Sequence, residues 1–218
     1  MRVLVVYCHP VPESFCAAIR DTAVDVLQAR GWEVRLLDLY AEKFDPVMSA
    51  EERRAYNERA PEDPALKPHF EHLAWAEAIL FIYPTWWYGL PAMLKGWLDR
   101  VWATDVAFKL PAGKGRITSL MTHVTKVGVI TTCGAPTWWS VVVGQPGRKT
   151  LLRGMRALCA RRCRTFFLAH YLMDASTPKS RAAFLWLKWS PIRSPRILAW
   201  SHESPPKPSQ PRSITRAR

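Results

Sequence analysis

Three apolar runs constrain this chain more than any other feature: Arg2–Tyr7 (RVLVVY), 78–83 (AILFIY) and 127–132 (VGVITT). None of them alternates with polar residues. A strand that is apolar on both faces belongs inside a parallel sheet with helices packed on each side. The intervening sequence carries helical spacing. Ser14 stands as an N-cap ahead of Phe15, Ala18, Ile19, Thr22, Val26 and Leu27, and Gly31 stops that helix. Pro91 opens another helix at its first position, where a missing N–H costs nothing. Leu94, Trp97, Leu98, Val101 and Trp102 line the apolar face of that helix, and Lys95, Asp99 and Arg100 face away. Further helices are expected over 68–77, 147–160 and 178–188, with one short helix inside 49–59.

Two more strands complete the pattern. Residues 33–40 alternate, as an edge strand does, and 165–170 form the last strand. Five strands alternating with helices imply an α/β doubly wound, five-stranded parallel sheet with right-handed crossovers. A central first strand with the second at an edge gives the order 2-1-3-4-5. The other common doubly wound order carries a G-x-G-x-x-G turn after strand one. Here that turn is Cys8-His9-Pro10-Val11-Pro12-Glu13-Ser14, with no glycine. This argues against a dinucleotide-binding domain of that type.

Length and charge set the domain plan. The 218 residues suffice for one sizeable core, assigned to 1–188. The remaining 189–218 read as a basic, proline-rich tail. Residues 188–218 hold seven of the Lys/Arg that make the net charge +13, against one acid, Glu203. Six of the eighteen prolines lie there too. Such a composition buries too little apolar surface to offset chain entropy, so disorder is expected from about 201. A solvated tail is favoured over one that binds nucleic acid. The five cysteines have no framework spacing, which points to a reducing, cytoplasmic compartment rather than a disulfide scaffold. Cys159 and Cys163 lack a second ligand pair, so no metal site is expected. No run approaches the roughly 20 apolar residues of a transmembrane segment.

Ligands of open α/β sheets bind beyond the carboxyl ends of the strands, where the strand order switches. Three loops reach that edge. Residues 8–16 lead into a helix N-terminus that favours a phosphate, with Ser14 and His9 as added donors. The plainer roles are an N-cap for Ser14 and a turn for His9. Residues 84–90 place Trp86, Trp87 and Tyr88 in a row. Alternating directions cannot bury all three, which leaves a flat ligand or a partner surface. Residues 133–147 begin with small residues after Thr131 and Thr132, and then offer Trp138 and Trp139.

The block YPTWWYGLPAMLKGWLDRVW, residues 83–102, resembles the signature of the flavodoxin-like NAD(P)H:quinone oxidoreductases, the DT-diaphorase family with its bacterial relatives. His9, Ser14, Phe15, Thr131, Thr132 and Gly134 stand at family spacing, and the resemblance covers about 1–185. It implies a flavodoxin-like fold with FMN or FAD bound. His9, Ser14, Phe15 and Cys16 would hold the flavin's phosphate end. Pro84, Thr85, Trp86, Trp87, Tyr88 and Gly89 would cradle its ring. Thr131, Thr132, Cys133 and Gly134 would line the far edge, and Trp138 and Trp139 the substrate pocket. Cys16 stands where relatives often have Asn, and Cys133 where they often have Gly. The implied reaction takes hydride from NADH or NADPH to the flavin and on to a quinone in the same slot, within a homodimer. No side chain is assigned as acid or base. Two other readings are a regulatory flavin-binding subunit of a potassium-efflux transporter and a flavodoxin-type electron carrier. The basic charge and the aromatic walls weigh against the carrier.

Overall fold

Backbone groups of a buried strand must find partners, and the apolar runs find them in one another. The computed structural model describes residues 1–111 and 113–189, without the side chains of 186–189. In it β1 (Arg2–Tyr7) pairs in parallel with β2 (Glu33–Asp38) and β3 (Ala78–Pro84). β4 (Lys126–Thr132) adds to β3, and β5 (Arg164–His170) adds to β4. The order is therefore 2-1-3-4-5, as the spacing implies. A separate antiparallel hairpin, Phe108–Lys109 with Thr118–Ser119, lies inside the long connection into β4. The proposed tail, 189–218, lies outside the described residues except for Trp189.

Successive side chains of a strand point to opposite faces, so each buried strand feeds two cores. Leu4, Val6, Ile79, Phe81 and Val129 pack toward α3 (Lys67–Trp75) and α4 (Ala92–Val101). Val3, Val5, Leu80, Ile82 and Ile130 pack toward α1 (Phe15–Ala29) and α7 (Pro178–Trp189). Ser14 caps α1 by accepting from the Ala17 amide, and Gly31 ends that helix at φ 72°. A left-handed residue after the last turn is the usual helix stop, and glycine takes it without a Cβ penalty. Residues 41–66 form the expected excursion, with a short helix, α2 (Ala50–Ala55), closed by a capping box between Ser49 and Glu52.

Three expectations need correction. Pro91 is the N-cap of α4 rather than its first residue. Residues 147–160 do not form one helix. They divide into α6 (Pro146–Lys149), a π turn over Thr150–Gly154 and a 3-10 turn over Met155–Leu158. A short helix, α5 (Thr137–Val143), precedes them unforeseen, closed by Gly144 in the left-handed region. Arg100 does not face away. Its side chain is buried, because the 41–66 excursion folds over that end of α4 and brings Glu52 and Asp63 to the guanidinium.

His69 of α3 reports on the same contact. Its Nδ1 accepts from Trp97 Nε1 at 3.4 Å, and Phe44 meets its ring edge-on. Burial, then the nearby His72 and Arg100, lower its pKa from 6.5 to about 4. Between those values the unfolded chain binds a proton that the folded chain refuses, so stability falls as pH drops through that window. We expect the denaturant midpoint to fall between pH 7 and pH 5. In His69→Gln that part of the curve should flatten; an unchanged slope would assign the acid sensitivity to other groups.

Candidate functional site

The C-terminal edge of the sheet holds a cavity of about 780 Å³, the size of a cofactor site. Its floor is where β1, β3 and β4 end. At one side stands the first turn of α1, whose leading N–H groups have no intrahelical acceptor. Ser14 Oγ accepts from the Ala17 amide at 3.1 Å and shares a longer hydrogen bond, 3.5 Å, with Tyr7 Oη. His9 Nδ1 is tied to Val11, 3.0 Å from its amide and 3.2 Å from its carbonyl, so that nitrogen accepts or donates according to the tautomer. Burial lowers the pKa of the ring and favours its neutral form. Cys16 lines the cavity but is 2% exposed, and burial pushes its thiol up to about 12. It serves as an apolar filler, not a nucleophile.

The aromatic loop makes the opposite wall. Trp86 and Gly89 close a tight turn, with the Gly89 amide donating to Trp86 O at 3.0 Å. Its central residues, Trp87 and Tyr88, have φ of 47° and 62°. Two consecutive left-handed residues suit a hairpin turn of Asn-Gly type, and bulky side chains are rare there. Such strain persists only where the surroundings over-determine it, and it gathers at ligand sites. Tyr88 is held from outside by Trp139, whose Nε1 donates to its hydroxyl at 2.9 Å. Thr85 is fixed by its amide on Thr132 O at 2.7 Å and its hydroxyl 2.7 Å from that of Thr131.

The structure brings most of the sequence-derived residues to this cavity. His9, Ser14, Phe15, Cys16, Pro84, Thr85, Trp86, Trp87, Tyr88, Thr132, Cys133 and Gly134 line it. The other four stand behind it. Gly89 closes the aromatic turn, and Thr131 is buried under Thr85. Trp138 and Trp139 stack edge-on at 5.5 Å on α5, outside the lining. Cys133 is buried, with Sγ 3.5 Å from Ser140 Oγ, and it also borders a second cavity with room for about one water.

Sequence reasoning missed a fourth loop. After β5 the chain returns to the same edge and adds Met173, Asp174 and Arg181. A Cβ at Gly134 would stand 2.5 Å from Asp174 Oδ2, so glycine lets the two loops close on each other. Arg181 Nε donates to Ser176 Oγ at 2.8 Å, and its guanidinium lies 5.7 Å from the Phe15 ring centre. The available signal was topological: every parallel strand delivers its following loop to this edge. Among the described residues no cluster of His, Cys, Asp and Glu could hold a metal, and no helix is long and apolar enough to cross a membrane.

The donor set fits a phosphorylated planar ring. Free helix amides, Ser14, His9 and Arg181 gather at one side, opposed there by Glu13 and Asp174. Flat aromatic and threonine walls stand at the other.

Comparison with known proteins agrees with this geometry. The family model described as flavodoxin-like fold matches residues 1–185. NAD(P)H dehydrogenase [quinone] 1 of Cavia porcellus is 34% identical over 128 residues, 51% of this chain and 46% of that protein. The chain spans about half the length of several named relatives it matches. The crystal structure of Smu.1420 from Streptococcus mutans is 30% identical with a TM-score of 0.72, over 85% of this chain and 95% of that one. NAD(P)H:quinone oxidoreductase from Methanothermobacter marburgensis is 25% identical with a TM-score of 0.73, over 85% and 93%. From its sheet order, its ligand edge and this match over most of its length, the chain belongs to the flavodoxin-like fold family.

Proposed function

We propose that this chain is a flavin-dependent oxidoreductase that passes hydride from NAD(P)H to a quinone, working as a cytoplasmic homodimer. The observation that carries the reading is the large cavity at the switch in strand order, with a helix N-terminus at one side and a strained aromatic turn at the other. The similar proteins named as quinone oxidoreductases support the same reaction class. Five free, buried thiols suit a reducing compartment.

The flavin, FMN or FAD, supplies a two-electron carrier when bound. The chain's own residues bind and orient. The α1 amides, Ser14, His9 and Arg181 hold the phosphate end. Trp86, Trp87 and Tyr88 present their backbone and rings to the isoalloxazine plate. Thr85 is held rigid by Thr131 and Thr132, so this wall costs little reorganisation when charge develops at the ring edge. Hydride transfer needs a dry slot. The exposed aromatic wall excludes water only when a second copy covers it, which is why the dimer belongs to the proposal.

Initial rates with varied NAD(P)H and varied quinone test the reaction. One shared slot gives parallel double-reciprocal lines. Intersecting lines would mean that both substrates bind together, and no quinone-dependent oxidation at all would leave a carrier or a binding subunit.

A further inference from the structure

Charge is divided along this chain more sharply than its total suggests. Residues 1–105 hold eleven Lys/Arg against sixteen Asp/Glu. Residues 106–173 hold eleven Lys/Arg and no Asp or Glu. The sheet order 2-1-3-4-5 turns that division of sequence into a division of space. β1, β2 and β3 with α1–α4 make an acidic half, and β4 and β5 with the segments leading into them make a basic half.

Two separate segments bring cations of the basic half to one surface. The first is the hairpin Phe108–Lys109 with Thr118–Ser119, which carries Lys109, Lys114 and Arg116. The second is the connection between β4 and β5, which carries Arg153, Arg161 and Arg162. The two segments meet where Ser119 Oγ donates to Leu158 O and Met121 bridges to Cys159. All six cations are exposed, and among the described residues no ion pair engages any of them. Like charges gathered without acids repel one another, so such a surface gains most from an anion supplied from outside.

We propose that this basic surface docks the protein on a membrane of anionic phospholipids. Arginine fits phosphodiesters through paired N–H donors. Each cation close to an anionic bilayer strengthens binding about fivefold, and cations within a Debye length of the surface act together. Ile117, exposed beside Arg116, supplies an apolar residue at the hairpin for the lipid interface. A nucleic acid is the lesser fit. Residues 109–118 and 146–165 contain no aromatic ring to stack on a base, and no Asn or Gln to read one. None of the six cations lines the cavity at the sheet's other features, so docking is independent of the flavin reading.

Sedimentation of the full-length protein with lipid vesicles is the test. The protein should pellet with phosphatidylcholine vesicles that contain phosphatidylglycerol, stay in solution with pure phosphatidylcholine, and be released by high salt. Combining Arg153→Gln, Arg161→Gln and Arg162→Gln should weaken binding roughly 100-fold. A second triple variant, Lys109→Gln, Lys114→Gln and Arg116→Gln, should act in the same direction, and it decides the matter if the first fails to fold. The control combines Arg53→Gln, Arg54→Gln and Arg59→Gln, which removes the same charge from exposed positions of the acidic half. It should leave binding within about twofold, because those charges stand beyond screening range of the docked lipid. Equal losses in the basic-half and acidic-half variants would assign the binding to net charge or to the tail, and would overturn the proposal. So would a failure to bind anionic vesicles, or duplex DNA that displaces the protein from them at equal phosphate concentration. None of these results bears on whether the cavity binds flavin.

Discussion

Arg100→Met is expected to be the most destabilising single change outside the two cores. The guanidinium is 4% exposed and makes three charge-assisted bonds: Nε to Glu52 at 2.9 Å, Nη2 to Asp63 at 2.7 Å and Nη1 to Asp45 O at 2.6 Å. Removing the cation leaves Glu52 and Asp63, 14% and 34% exposed, without their partner, which costs up to about 3–5 kcal/mol, the upper figure being that of a fully buried pair. Single domains are stable by only about 5–15 kcal/mol. The melting temperature should therefore fall by roughly 10 °C for a chain of this size. The loss is local in origin, since Arg100 fastens the 41–66 excursion onto α4. Gly96 marks the same seam, because a Cβ there would run into Pro46. Limited proteolysis of the variant should begin within 45–63. Lys95→Ala is the control, for its pair with Asp99 is a half-exposed helix pair worth under about 1 kcal/mol. Equal effects of the two substitutions would mean that the excursion is held by its apolar contacts alone.

Trp138→Glu should separate the chains and reduce turnover together. Trp87 is 95% exposed, Trp138 66% and Val142 67%. They belong to the aromatic turn and α5, which the Trp139–Tyr88 bond joins into one surface. An apolar surface of that kind on a lone molecule is an association hazard, and two-fold pairing is the commonest way to cover it. A carboxylate buried at such an interface costs about 2–4 kcal/mol, or roughly 30- to 1,000-fold in the dimer constant. Sedimentation of the variant should give the monomer mass with turnover down by about tenfold or more. A wild-type protein that sediments as a fully active monomer at micromolar concentration would remove the dimer from the account.

Buried strands were legible in the sequence because two-sided burial leaves no polar residue to blur the run, as in 78–83. The α1 start was legible because a hydroxyl cap precedes helical spacing. Arg100 was misjudged because a long cation reads as a solvent residue, while its partners Glu52 and Asp63 lie 48 and 37 residues away and leave no local pattern. Helix α5 was missed because TWWSVVV is β-branched and aromatic, poor in helix formers, and is held by Gly144 rather than by propensity. The helix expected over 147–160 gives way after Lys149 to a π turn that ends at Gly154 and then to a 3-10 turn over Met155–Leu158. At the site, the loops after β1, β3 and β4 were recognisable by motif. Met173, Asp174 and Arg181 carry no motif and enter only because the parallel sheet delivers the loop after β5 to the same edge.

The central claim is that this edge holds a redox-active flavin. Absorbance of the purified full-length protein, followed anaerobically, tests it most directly. The account expects one flavin per chain, a visible band that bleaches on adding NAD(P)H, and its return on adding a quinone. A protein that takes up neither FMN nor FAD, or whose bound flavin is untouched by both nicotinamides, would contradict it.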